Sequence, residues 1–407
     1  MNLETTTILL FAVATAVALI ARALKMPYTV ALVLAGIALG AGRILPAPHL
    51  TKDLLYAVFL PGLIFEAAYH LRARQLEQNK RLILGLAFPG VLLAVAVTTG
   101  LLLAFTPFGP VSSLAGALVF AALISATDPI AVVGLFKSLG APRRLGVIVE
   151  GESLVNDGTA VVVYTLALLF ATGAELSLLQ ASFDFVKVVG LGMLVGAAIG
   201  FAISKASERI DDPLVEITLT TIAAYGSFVA AEELHFSGII ATVTAGIVCG
   251  SFGAPRGMSP TTRLAVEAFW EYVAFALNSI VFLLIGLEVT LGSLFADWKP
   301  IVAAYLIVLL ARAVVVFGAS SVLRRTSERI PWSWCLVMTW GGLRGALSMV
   351  LALALPAAFP ARSLLVSTTF GVVILSIIVN GLTTSPLLRQ LGLCDNPLEH
   401  ERPGTEL

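Results

Sequence analysis

This chain is short of charge. Only 12% of its 407 residues are Asp, Glu, Lys or Arg, against 58% hydrophobic, and its mean hydropathy is +0.97. Soluble domains carry about 25% charged residues, so a soluble enzyme or binding module is excluded and a polytopic membrane protein is expected. Lys+Arg and Asp+Glu both number 25 and net charge is zero, which leaves no basic footprint for nucleic acid. Cysteine is scarce: Cys249, Cys335 and Cys394 are scattered, with neither a disulfide framework nor thiolate metal spacing. The four histidines, His49, His70, His235 and His400, fall in loops or at span ends and form no i, i+4 pair. That argues against a metal-dependent membrane enzyme, and no cofactor is expected. A signal peptide's charge order is also missing. Glu4 precedes the first apolar run, while Arg22 and Lys25 follow it, so a retained first helix with its N-terminus outside is expected.

Long polar stretches are absent as well. Thirteen apolar segments can each span a bilayer, at about 4–21, 27–42, 53–71, 82–105, 111–136, 142–172, 184–204, 213–232, 236–252, 264–290, 299–323, 332–356 and 363–388. The expectation is an all-α polytopic protein in which residues 1–391 form one transmembrane transporter domain and 392–407 a short cytoplasmic tail. With the N-terminus outside, 18 of the 25 Lys and Arg residues fall on inner loops and 5 on outer ones, Arg43, Lys52, Lys187, Lys299 and Arg362. This bias predicts a multi-pass protein of the cell membrane, N-terminus out and C-terminus in. Trp270, Trp298, Trp332 and Trp334 near span ends read as interfacial anchors.

Against this apolar background the charges stand out. Asp128, Asp157, Arg312 and Arg344 fall near the centres of four spans, and Glu66 a turn past the middle of a fifth. Each mid-bilayer charge costs about 2.5–3.5 kcal/mol on the most lenient scale, so such residues are functional by default. The carboxylates Glu66, Asp128, Glu152 and Asp157 outnumber Arg312 and Arg344 by two, and an excess of buried negative charge calls for cations or protons. Pro129 follows Asp128, which predicts a helix broken at Thr127–Asp128. In T-W-G-G-L-R-G-A-L-S, Gly341, Gly342 and Gly345 surround Arg344 and weaken a second helix. Two broken helices in corresponding halves mark secondary transporters built from inverted repeats. Ser153 and Asp157 share a helix face at i, i+4, and Glu152 and Asn156 share a neighbouring one. The first pair can offer hard oxygens to Na⁺ or Li⁺ while Glu152 pairs with a buried Arg. Glu150 reads as solvated at the inner mouth, and Glu232, Glu233 and His235 as an outer turn. Glu271 and Asn278 read equally as polar packing or as pathway lining.

At these residues the chain resembles the monovalent cation:proton antiporters, in the branch of prokaryotic NhaP proteins and animal and plant Na⁺/H⁺ exchangers. The matching strings are F-L-P-G-L-I-F-E-A-A at 59–68, S-A-T-D-P-I-A-V-V at 125–133, V-E-G-E-S-L-V-N-D-G-T-A at 149–160, S-G-I-I-A at 237–241, V-F-L-L-I-G-L at 281–287 and W-G-G-L-R-G-A-L-S at 340–348. The resemblance implies inverted repeats with two crossed, unwound helices, a core from about 53–172 and 264–390, and a homodimer. It implies Asp157 as the main cation and proton carboxylate, with Thr127 (through its carbonyl), Asp128 and Ser153 as further ligands. Asn156 is implied as a site-shaping partner and Glu66 as a group near the site, acting through water. Glu152 and Arg312 resemble a structural ion pair, and Arg344 the arginine of the second unwound helix. The Asn156-Asp157 pair resembles the electroneutral branch, which exchanges one cation for one proton. The expected partners are thus monovalent cations (Na⁺ first, Li⁺ or K⁺ with the same ligands), protons, the bilayer and a second copy. Larger eukaryotic members carry a long regulatory tail, and none is expected here. A channel or uniporter would use the same carboxylates without coupling. An intramembrane protease lacks its motif context, and Asp128-Pro129 suits a helix break better.

Overall fold

A bilayer offers no water to backbone amides, so apolar runs there must satisfy their own hydrogen bonds as helices. The structure, a computed structural model, describes residues 3–24, 26–42, 55–105, 113–173, 177–289 and 291–394, and within them there are helices and no strand. Arg43, His49, Lys52, His400, Arg402 and the tail from 395 onward lie outside the described residues.

The helices run in order as α1 (Leu3–Leu24), α2 (Tyr28–Ala41) and α3 (Leu60–His70), then α4 (Lys80–Phe105). Next come α5 (Leu114–Leu123), α6 (Ile130–Leu139), α7 (Arg143–Ala171), α8 (Leu178–Ser207) and α9 (Pro213–Glu233), and then α10 (Gly238–Gly257). The series closes with α11 (Pro260–Glu288), α12 (Trp298–Val322), α13 (Trp332–Trp340) and α14 (Ala346–Leu353), and α15 (Arg362–Gln390). Eight of these are long and apolar enough to cross a membrane: α4, α7 to α12 and α15. The fifth and twelfth expected spans are each two short helices, α5 with α6 and α13 with α14, separated by non-helical chain.

The helices pack as two groups. One comprises α1, α2, α3 and α8 to α11; the other comprises α4 to α7 and α12 to α15. The expected core, from about 53–172 and 264–390, takes in helices of both groups. Residues 60–70 and 260–288 pack mainly with the first group, because α11 lies along α2 and α3 lies against α10 and α11. Small residues permit the α2–α11 contact. A Cβ at Gly36 would sit 2.3 Å from the Leu283 carbonyl oxygen, and one at Gly286 2.3 Å from that of Val33. Gly196 of α8 meets the Ala241 carbonyl of α10 in the same way, at 2.1 Å.

Trp270 is not an interfacial anchor. It is fully buried, its indole N–H donates to Thr220 Oγ1 at 3.0 Å, and its ring lies 4.7 Å from that of Phe65. Because α11 begins at Pro260, Trp270 sits nearly three turns inside it, facing α9 and α3. Trp298 and Trp332 do remain exposed. Glu232 accepts from the Gly238 amide at 3.0 Å, which ties the end of α9 to the start of α10.

Candidate ion-binding site

The two breaks meet. Beyond α5 the chain leaves helical geometry until Ile130, and beyond α13 until Ala346. The freed Asp128 amide donates to the Leu343 carbonyl at 2.8 Å, so one break satisfies a backbone group of the other. The Asp128 carboxylate accepts from the Ile130 amide at 3.1 Å, at the start of α6. The approach is too close for any side chain at Gly345: a Cβ there would lie 2.3 Å from Asp128 Cβ.

Helix α7 passes beside the crossing. The Ser153 hydroxyl donates to the Thr127 carbonyl. The Asn156 amide Nδ2 donates to the Ser125 carbonyl at 3.2 Å, to Thr127 Oγ1 at 3.2 Å and to Glu152 Oε1 at 3.3 Å. Glu152 takes Arg312 of α12 in a two-pronged pair, at 2.8 and 2.7 Å, with both residues buried. Two-pronged guanidinium–carboxylate contacts are strong and orientation-specific. Arg344 has no carboxylate within ion-pair distance among the described residues; its Nη1 donates to the carbonyls of Ser125 at 2.8 Å and Ala126 at 3.1 Å, and its amide donates to Ser376 Oγ at 3.1 Å.

In front of this scaffold lies a cavity of about 90 Å³. Thr127, Asp128, Ser153 and Asp157 line it, with Glu66 and Glu150 from its side walls. Asp157 Oδ1 is buried with no hydrogen-bond partner among the described residues. The site therefore presents carboxylate and hydroxyl oxygens, and none of the described residues that line it is Lys or Arg, which suits a small hard cation. Glu66 Oε1 stands 3.3 Å from His70 Nδ1, and Glu150 lies 3.9 Å from Lys137.

Two expected site residues stand apart from the cavity. Asn156 and Arg344 do not line it; both hold the unwound backbone from behind. One residue left open by the sequence joins the wall: Asn278 of α11, with a buried Oδ1 that has no partner among the described residues. Its only advance signal was polarity in an apolar span. Glu271 of α11 does not line the cavity and is exposed.

Residues 8–390 match the model of the transmembrane sodium/hydrogen exchanger family. The chain is 40% identical over 371 residues to the Na⁺/H⁺ antiporter ApNhaP of Aphanothece halophytica, covering 91% of this chain and 70% of that one. It is 38% identical over 399 residues to the Na⁺/H⁺ antiporter NhaH of Halobacillus dabanensis, covering 95% and 97%. Its fold is similar to that of the sodium proton antiporter MjNhaP1 of Methanocaldococcus jannaschii, with a TM-score of 0.78 at 21% identity over 96% of this chain and 99% of that one. The two broken, crossing helices and the acidic cavity beside them thus stand in a chain that belongs to the sodium/hydrogen exchanger family.

Proposed function

We propose that this protein exchanges Na⁺ for H⁺ across the membrane, one for one, through competition of the two ions for Asp157. The observation that carries the reading is the cavity at the crossing, where Asp157, Asp128, Ser153 and the Thr127 carbonyl converge and none of the described lining residues is basic. The names of the relatives support Na⁺ as the cation. Asp157 and Asp128 hold the ion with Ser153 and Thr127, and Glu66 acts from the wall through water. Glu152 and Arg312 neutralise each other, so they fix geometry and leave the site charge to the two aspartates. Asn156 is neutral and donates rather than binds, so it adds no third carboxylate; Asp157 alone then takes Na⁺ or H⁺ while Asp128 keeps its state, which supports the one-to-one ratio. A doubly ionised site is costly to carry through the membrane interior. Occupied by Na⁺ or H⁺ it crosses more readily, and that condition produces exchange rather than leak.

The protein works as a homodimer, with its N-terminus outside and C-terminus inside. Support for the sidedness comes from Lys80, Arg81, Arg143 and Arg144, which surround one cavity of about 590 Å³ and so share one membrane face. Positive charge of that density belongs on the cytoplasmic side. In proteoliposomes, Na⁺ addition drives proton flux in the wild type, and clamping the voltage leaves it unchanged. Asp157→Asn abolishes the flux. Near-normal exchange by that variant would sink the assignment, and a Na⁺ current without proton flux would replace exchange by a uniporter.

A further inference from the structure

A second, smaller cavity lies behind the ion site, about 10 Å³ in volume, with Tyr305, Arg312, Thr339, Gly342, Arg344 and Asn380 among its lining residues. Three of these carry buried polar atoms with no hydrogen-bond partner among the described residues: Arg312 Nε, Thr339 Oγ1 and Arg344 Nε. The residues are only 6%, 8% and 5% exposed. Buried polar groups are almost always partnered, so three orphans around one space call for a common partner. Several of the other polar atoms around it are engaged. Both terminal nitrogens of Arg312 are on Glu152, Arg344 Nη1 is on two carbonyls, and Asn380 Oδ1 and Nδ2 bond Tyr305 and the Trp340 carbonyl. Arg312 Nε borders Gly342, where a Cβ would stand 3.0 Å from it.

We propose that this cavity binds a single water molecule, which accepts from the Nε–H groups of Arg312 and Arg344 and donates to Thr339 Oγ1. The donor and acceptor count fits: water has two lone pairs for two N–H donors, and a hydrogen for the hydroxyl oxygen. The volume decides against an anion, although two guanidinium groups would attract one. About 10–15 Å³ is the least space that houses a water, and chloride is larger. Arg312 is moreover already neutralised by Glu152.

The water completes a ring. Ser125 O binds Asn156, Asn156 binds Glu152, Glu152 binds Arg312, and Arg344 returns to Ser125 O. Only the link between the two arginines is missing from the protein's own bonds, and the cavity lies there. The ring encircles the back of the first break and ties α7, α12 and the second break to one carbonyl.

A structure of the full-length protein at a resolution that shows ordered solvent tests this. One peak within hydrogen-bond distance of Arg312 Nε, Arg344 Nε and Thr339 Oγ1 is expected, and no peak there overturns the proposal. In crystals grown with bromide, no anomalous signal is expected at this position; a signal would replace the water by an anion. Thr339→Val keeps the shape and removes the acceptor, so it should lose the peak and lower the thermal midpoint. Thr339→Ser should keep both, and holds the test open should the valine variant fail to fold. A valine variant that keeps the peak and the midpoint overturns the assignment. These readouts do not depend on ion exchange.

Discussion

At the scale of single residues, the site separates groups that face the ion from groups that hold those groups. Asn156 is adjacent to Asp157 in the chain, yet its amide points at the Ser125 carbonyl, Thr127 Oγ1 and Glu152. An aspartate there donates nothing and sets a second carboxylate against Glu152. Asn156→Asp should therefore cost about 1–3 kcal/mol or more, seen as a lower thermal midpoint in detergent, whatever it does to stoichiometry; an unchanged midpoint would show the three bonds to be unimportant. Glu152 and Arg312 make a harsher case. Removing either leaves a buried charge alone, at about 3–5 kcal/mol. Glu152→Ala and Arg312→Ala should each unfold early, and the exchanged pair Glu152→Arg with Arg312→Glu should recover part of the loss. Equal stability of wild type and single variants would contradict the pairing.

At the scale of elements, the crossing depends on one missing side chain. Gly345→Ala puts a methyl 2.3 Å from Asp128 Cβ, and the obstacle is the Asp128 side chain from its root to its carboxylate, so the group displaced is itself a site residue. Loss of exchange together with a lowered midpoint is expected, measured on the same reconstituted sample. A milder prediction concerns the link between α8 and α9. Asp211 accepts from Thr262 Oγ1 at 2.7 Å, and this bond, with Ser259, holds its carboxyl below the usual range. A depressed folded-state value contributes stability above the unfolded value of about 3.9 and loses it as pH falls through the folded value. Thr262→Val should therefore lower the neutral plateau of the thermal midpoint slightly and flatten its fall on acidification, while leaving the most acidic end in place. The two breaks were legible in the sequence because proline and clustered glycine have backbone consequences whatever surrounds them. The bond from Asp128 to Leu343 was not, since nothing local to either string specifies which distant carbonyl an unpaired amide will find. Asn278 stayed ambiguous for the same reason: a polar residue in an apolar helix shows that it needs a neighbour, not which one.

At the scale of the whole molecule, alternating runs of apolar sequence located nearly every helix, because length and hydropathy alone decide what crosses a bilayer. They could not assign helices to packing groups. Residues 60–70 and most of 260–288 fall in the core that the family resemblance implies and carry Glu66 and Asn278 of the cavity wall, yet they pack mainly with the first group, the latter through the glycine-mediated contact of α2 with α11. Trp270 was misread because a span end set four residues late makes an interior position look interfacial. The membrane sidedness can be tested directly. Cys249 and Cys335 are buried, so in a Cys394→Ser background an impermeant maleimide should label Arg143→Cys only from the cytoplasm and Lys299→Cys only from outside. The reverse pattern would invert the topology.

The hydrogen bonds at the crossing also have a consequence for biogenesis. Arg344 lies 219 residues after Ser125, so the first break enters the membrane long before its partner has been synthesised. Until then its Ala126 carbonyl and its Asp128 amide have to be satisfied by water or by the insertion machinery, while the Ser125 carbonyl has Asn156 of α7. The cation site is thus among the last features of the molecule to exist. A chain interrupted in the link between α9 and α10 should insert both pieces, and should acquire the site only when the two are made in the same membrane.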